Sequence, residues 1–292
     1  MLQPHNTWHF YKIIIISVTF QALPLRQNIR LMIYLILLGV LLFALAYFFV
    51  KPKRRAVEPF PKHWHSLLHE NVLFYRKLSK RKQVIFQKKI MRFLSEVYID
   101  GVELEINDLD KILIASSAVI PVFNFRKWHY HNLSGVLLYP DYFNRELEFS
   151  DTAQSRNIGG IVGTGRFENQ MILSRKALHH GFENSTDKRN TGIHEFVHLI
   201  DKMDGSVDGI PDSLMEHQYA IPWLDVIHKE MDAIHKNKSD ISSYGGTSQA
   251  EFFAVASEYF FERPDLLRRK HPQLYKMMKK CFSQKSKQPV SK

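Results

Sequence analysis

The chain has 292 residues, 45% of them hydrophobic, enough for one sizeable domain with appendages or two small ones. Its single cysteine, Cys281, excludes an intramolecular disulfide and any thiolate metal site such as a zinc finger. The net charge of +11 is uneven: residues 93–262 hold 14 Lys/Arg against 26 Asp/Glu, residues 76–92 hold eight basic groups and no acid, and residues 263–292 hold ten against Asp265. An acidic body with basic edges suits contact with anionic lipid or nucleic acid, and suits plain solvation equally well.

The first chemical landmark is LMIYLILLGVLLFALAYFFV, residues 31–50, which contains no charged residue. Twenty helical residues reach roughly 30 Å, the thickness of a bilayer's hydrocarbon core, so the run predicts a transmembrane helix. A secretory signal peptide competes, because Ala44-Leu45-Ala46 resembles a cleavage site. The apolar run continues past it, however, and some thirty residues precede it. Lys51, Lys53, Arg54, Arg55 and Lys62 follow the span, against Arg26 and Arg30 before it. The excess of positive charge places the C-terminal body in the cytoplasm. The run IIIISVTF within residues 1–30 is too short to span, and translation starting at Met32 would make this N-terminal extension untranslated.

Pro52, Pro59 and Pro61 mark a basic linker over residues 51–62. Apolar residues at helical spacing then predict one or two helices between His63 and Tyr98. DLDKILIASSAVIPVF (108–123) predicts a buried helix halted near Pro121. LSGVLLYP (133–140) and GRFENQMILS (165–174) read as strands. The glycine-rich residues 159–165 lack both the GxGxxG and the P-loop spacing and read as a flexible hairpin. Helices are expected again at 190–203, 212–237 and 248–262, with a basic tail over 271–292. The pattern is α+β, with helices at both ends of a small sheet.

The richest segment is TGIHEFVHLIDKMDG, residues 191–205. Residues four apart share a helix face, so His194 and His198 can present imidazole nitrogens to one ion. Glu195 projects to the side, placed to accept a proton from an activated water, as in the H-E-x-x-H arrangement of zinc peptidases. The bland alternative is a pair of histidines satisfied by ordinary hydrogen bonds. A catalytic zinc needs a third protein ligand, and two carboxylates compete. Asp204 lies six residues past His198, but the pattern that uses such a ligand requires glycine at position 201, where Asp201 stands. Glu251 in YGGTSQAEFFAVASEYF (244–260) lies in the first turn of an otherwise apolar helix capped by Ser248, where a capping box would also explain it. Glu258, seven residues on, shares its face two turns away.

IHEFVHLIDKMDG followed by SYGGTSQAEFFAVASEYFF closely resembles the Mlc titration factor A family of bacterial zinc peptidases, relatives of the anthrax lethal factor catalytic domain. IASSAVIPVF (114–123), VLLYP (136–140) and MILS (171–174) extend the likeness over roughly residues 60–270. The resemblance implies a zincin-like metallopeptidase domain over 63–270, with helices around a small mixed sheet. It implies one zinc ion held by His194, His198 and Glu251, Glu195 as general base, and Tyr244 as the oxyanion's hydrogen-bond donor. It further implies aminopeptidase-like activity on a peptide or protein substrate, and binding of a sugar-responsive transcriptional repressor. Typical members look soluble, whereas this chain is expected to be a single-pass protein of the bacterial inner membrane with its catalytic domain in the cytoplasm. The MILS strand is expected to offer its edge to an extended substrate. A rival reading is a membrane-tethered regulatory binding protein with a structural zinc. A nucleic-acid binder fits poorly, because aromatic residues near the basic runs are few and no recognition motif is present.

Overall fold

A computed structural model describes residues 29–45, 56–150, 154–163, 165–215 and 217–283. The chain divides into two compact units, Met1–Arg54 and Arg55–Lys292.

In the first unit, residues 29–45 form a helix, α1. Among the described residues no helix is long and apolar enough to cross a membrane. The last five positions of the run 31–50 lie outside the described residues, as do most of the N-terminal extension and residues 51–55 of the linker.

The second unit opens with three helices where one or two were expected: α2 (Trp64–Asn71), α3 (Leu73–Arg76) and α4 (Lys80–Glu96). On α4 the apolar positions Phe86, Ile90 and Phe93 are buried, while Lys80, Arg81 and Lys82 face solvent. The strand β1 (Tyr98–Gly101) follows, then α5 (Asp108–Val119). Asn107 starts α5 through a capping box with Asp110, each side chain accepting from the other's backbone amide. Asp110 is fully buried, and Arg175 and His179 donate to it at 2.6 and 2.8 Å. A buried carboxylate is tolerable only with such partners.

Strands β2 (Gly135–Tyr139), β3 (Gly160–Val162) and β4 (Gln170–Ser174) complete, among the described residues, a four-stranded sheet of order β1-β2-β4-β3. The first three strands in that order run parallel, and β3 pairs antiparallel with β4. This is the small mixed sheet of an α+β domain. The nearly continuous apolar reading of β2 and β4 reflects burial on both faces. The MILS residues therefore sit in an interior strand, with both edges already paired. That removes them as a docking edge; the outer strands among the described residues are β1 and β3, and β3 is the one beside Glu195.

The helices α6 (Arg175–Glu183), α7 (Thr191–Asp201), α8 (Ala220–His235), α9 (Gln249–Glu262), α10 (Pro264–Lys270) and α11 (Pro272–Ser283) follow. α7 lies so close to α5 that a Cβ on Gly192 would stand 2.2 Å from Ser117 Oγ. Residues 272–283, expected as part of a basic tail, instead form α11 and bury Leu274, Met278, Cys281 and Phe282; residues 284–292 lie outside the described residues. The main core gathers these helices with one face of the sheet, and a smaller cluster around Tyr139, Phe143 and Ile172 covers the other.

Candidate metal centre

α7 begins where the Asn190 side chain accepts a hydrogen bond from the Ile193 amide at 3.0 Å. The resulting helix is buried nearly all round, and its 3.6-residue period stacks His194 over His198. α9 begins at Ser248, whose hydroxyl accepts from the Glu251 amide at 3.1 Å. Only half of a capping box forms, because the Glu251 carboxylate turns away from Ser248 to face α7. His194 Nε2 lies 3.0 Å from Glu251 Oε2 and 3.0 Å from His198 Nε2, and His198 Nε2 lies 3.3 Å from Glu251 Oε2.

The proton count on these groups discriminates between hydrogen bonding and metal binding. Glu258 Oε1 stands 2.7 Å from His194 Nδ1. A carboxylate only accepts, so Nδ1 donates, and the neutral ring keeps a lone pair at Nε2. That lone pair faces an imidazole nitrogen and a carboxylate oxygen, which also carry lone pairs. One proton on His198 cannot serve three contacts, whereas a cation at their centre can. In a tetrahedral site with metal–nitrogen bonds of about 2.0–2.1 Å, donor atoms lie about 3.3 Å apart. The observed separations are close to that spacing. The residues fit a metal ion.

Before an ion binds, these carboxylates draw a proton instead. Burial alone would lower His194, but the Glu258 and Glu251 carboxylates override it and hold the ring well above its ordinary value, so a metal would have to displace that proton. Burial raises Glu251 as well, yet its hydrogen bonds to the two imidazoles pull it far below the usual carboxylate range. Burial pushes Glu195 up, partly offset by the two histidines. With the imidazoles in the neutral form that binds metal, the three carboxylates make a pocket of negative potential that a dication would neutralise.

Glu195 is buried and packs directly on the backbone of β3: a Cβ on Gly160 would lie 2.6 Å from Glu195 Cγ. A glycine here is required by close approach. Tyr244, in the 3-10 turn Ser243–Gly246, is 53% exposed and lays its ring 6.0 Å from that of His194. Burial of its hydroxyl, then the charge of Glu251, pushes that group up to about 12, so it remains a donor at neutral pH. These residues line a cleft of about 1530 Å³ that also takes in β3, Arg145 and Arg189.

The structure thus brings together all five expected site residues, His194, Glu195, His198, Tyr244 and Glu251. Among the described residues the one group of three or more side chains able to share a metal ion is His194, His198 and Glu251. Asp204 is exposed and accepts from the Ser206 amide and hydroxyl; Asp201 is buried and accepts from the Gly209 amide. Sequence reasoning missed Glu258 as the partner of His194. It also missed the tie from Glu258 Oε2 to the Asn190 amide, which pins the start of α7 to α9. The sequence signalled only its face: a helix period of two turns puts Glu258 on the face of Glu251, without saying what that face meets.

Comparison with known proteins gives the chain a family. The chain is 28% identical over 269 residues to an uncharacterised protein of Synechocystis, covering 85% of this chain and 95% of that one. It is 29% identical over 190 residues to Mlc titration factor A of Pectobacterium atrosepticum, covering 62% of this chain and 71% of the relative. Against Mlc titration factor A of Serratia proteamaculans it is 28% identical over 219 residues, covering 71% and 82%. Residues 49–283 match the model of the glucose-regulated metallo-peptidase M90 family, and the chain belongs to that family.

Proposed function

We propose that this chain is a zinc-dependent peptidase whose His194, His198 and Glu251 hold the ion. The observation that carries the reading is the convergence of three lone-pair donors 3.0–3.3 Å apart, with the second nitrogen of His194 already committed to Glu258. When bound, zinc supplies Lewis acidity that activates a water and polarises the scissile carbonyl. Glu195 takes the proton of the attacking water and passes it to the leaving amine, a task suited to a carboxylate raised by burial. The Tyr244 hydroxyl donates a hydrogen bond to the developing oxyanion. The substrate lies extended along β3, beside Glu195. Odd-numbered positions of β3 and its flanks exchange hydrogen bonds with β4, so the backbone groups of Gly160 and Val162 point outward for a peptide to pair with. The aminopeptidase-like specificity rests on the family resemblance alone.

Glu195→Gln tests the reading. The variant should bind zinc stoichiometrically by elemental analysis and lose chelator-sensitive hydrolysis of a peptide panel. Undiminished hydrolysis in that variant would overturn the mechanism.

The charge-free run 31–50 supports a bilayer anchor, and the basic residues after it support a cytoplasmic catalytic body at the bacterial inner membrane. The name of two relatives, Mlc titration factor A, supports a second reading in which the body binds a transcriptional repressor and its metal is structural. Repressor binding that survives Glu195→Gln but not Glu251→Ala would favour it.

A further inference from the structure

A second cavity, of about 300 Å³, opens on the other side of the first turn of α7. Asn190 and Ile193 line it, whereas Thr191 and His194 line the catalytic cleft, so one helical turn separates the two. Its walls are aromatic: Phe74, Phe182, Phe260, Phe261 and Phe282. That volume is at the lower end of small-molecule sites, and such sites are mostly apolar with a few placed polar groups.

The placed polar group is Glu262, the last residue of α9. The residue is nine-tenths buried, and neither carboxyl oxygen has a hydrogen-bond partner among the described residues. The backbone amides of Arg189 and Lys188 lie near enough to lower its pKa, but outside good hydrogen-bond geometry. Buried carboxyls are normally paired, and an orphan one calls for an explanation. Burial, then the nearby charges of Glu258 and Asp187, push its carboxyl up to about 9. Its principal charged neighbours are therefore both anions, which keep the carboxyl protonated at neutral pH while the site is empty; a cation beside it would release that proton. Lys77 lines the cavity but lies at the solvent-exposed mouth and forms no ion pair with Glu262 among the described contacts.

We propose that this cavity is a binding site for a small apolar amine, whose ammonium group donates to Glu262 and whose hydrocarbon body packs on the phenylalanine walls. The aromatic faces add cation–π attraction to the ion pair. An amino acid is disfavoured, because its carboxylate would meet the same negative potential that Glu258 and Asp187 create. The ligand class is therefore a monoamine without an acid group. Such a ligand would sit against Asn190, whose backbone amide donates to the carboxylate that orients His194.

The test is calorimetric titration of the full chain with 2-phenylethylamine and hexylamine, and with 3-phenylpropionate as the anion of matching shape. The amines should bind, and the anion at least roughly tenfold more weakly, the scale of one charged hydrogen bond. Glu262→Gln keeps the shape and removes an unpaired acid, so it should fold. It should weaken amine binding by the same roughly tenfold factor while leaving zinc content unchanged. A folded Glu262→Gln that binds the amines as tightly as the parent would overturn the assignment, as would a parent protein that binds neither amine. Should the variant not fold, competition settles the point. Amine binding that persists with excess chelator and in Glu251→Ala places the ligand away from the metal centre; loss in both would overturn the proposal.

Discussion

Glu258 acts on the metal centre without touching the ion's position. It fixes which nitrogen of His194 carries the proton, and so which one offers a lone pair. Replacing it with glutamine leaves a hydrogen-bond acceptor but weakens the orientation and the ring's basicity. Glu258→Gln should lower zinc affinity roughly 10–100-fold with little change in thermal stability, as measured by competition with a fluorescent chelator. An unchanged affinity would reduce Glu258 to packing. In the proposed mechanism Tyr244 acts at the other end of the reaction. Its hydroxyl, held up to about 12, stays protonated through the working range of a peptidase. Tyr244→Phe should lower kcat by roughly ten- to a thousandfold and leave zinc content intact, the range for loss of one oxyanion donor. His194, Glu195 and His198 were legible from residue type and helix spacing, whereas Tyr244, and the choice of Glu251 over Asp204, came from the family resemblance. The Glu258 contact was not legible, because a pairing between α7 and α9 depends on how two helices cross.

Two helices and an edge strand make the site. In the proposed mechanism α7 supplies two imidazoles and the base, α9 supplies the third donor and its orienter, and β3 supplies a backbone edge. The long helices were readable from apolar periodicity and caps, since α7 and α9 obey both. The short strands β1 and β3 were not, because three or four residues give no usable alternation. The misplaced docking edge has the same origin: MILS is apolar because it lies inside the sheet, and only the strand order reveals which strands are outermost. The amide of Val162 points away from β4, so proline there removes a hydrogen bond to substrate while sparing the ladder. Val162→Pro should raise KM for extended peptides several-fold and change kcat little. An unaltered KM would take β3 out of substrate binding.

At the scale of the whole molecule, the charge-free run and the acidic body with basic edges concern where the enzyme works. If residues 31–50 anchor the chain, the full protein should sediment with membranes and resist extraction at high pH, and protease added to intact spheroplasts should leave the catalytic body uncut. Recovery in the soluble fraction would remove the anchor. The sequence alone determined the α+β class, the long helices, the two histidines with their intervening glutamate, and the choice between Glu251 and Asp204 once the family likeness was used. These follow from local period, capping chemistry and residue type, which a linear chain records directly. Only the tertiary structure decided that Glu258 orients His194, that β3 and not β4 lies at an edge, that residues 272–283 belong to the core, and that Glu262 is buried without a partner. Each of these depends on which surfaces meet in space, and that meeting is set by packing of the whole core, which no local pattern encodes.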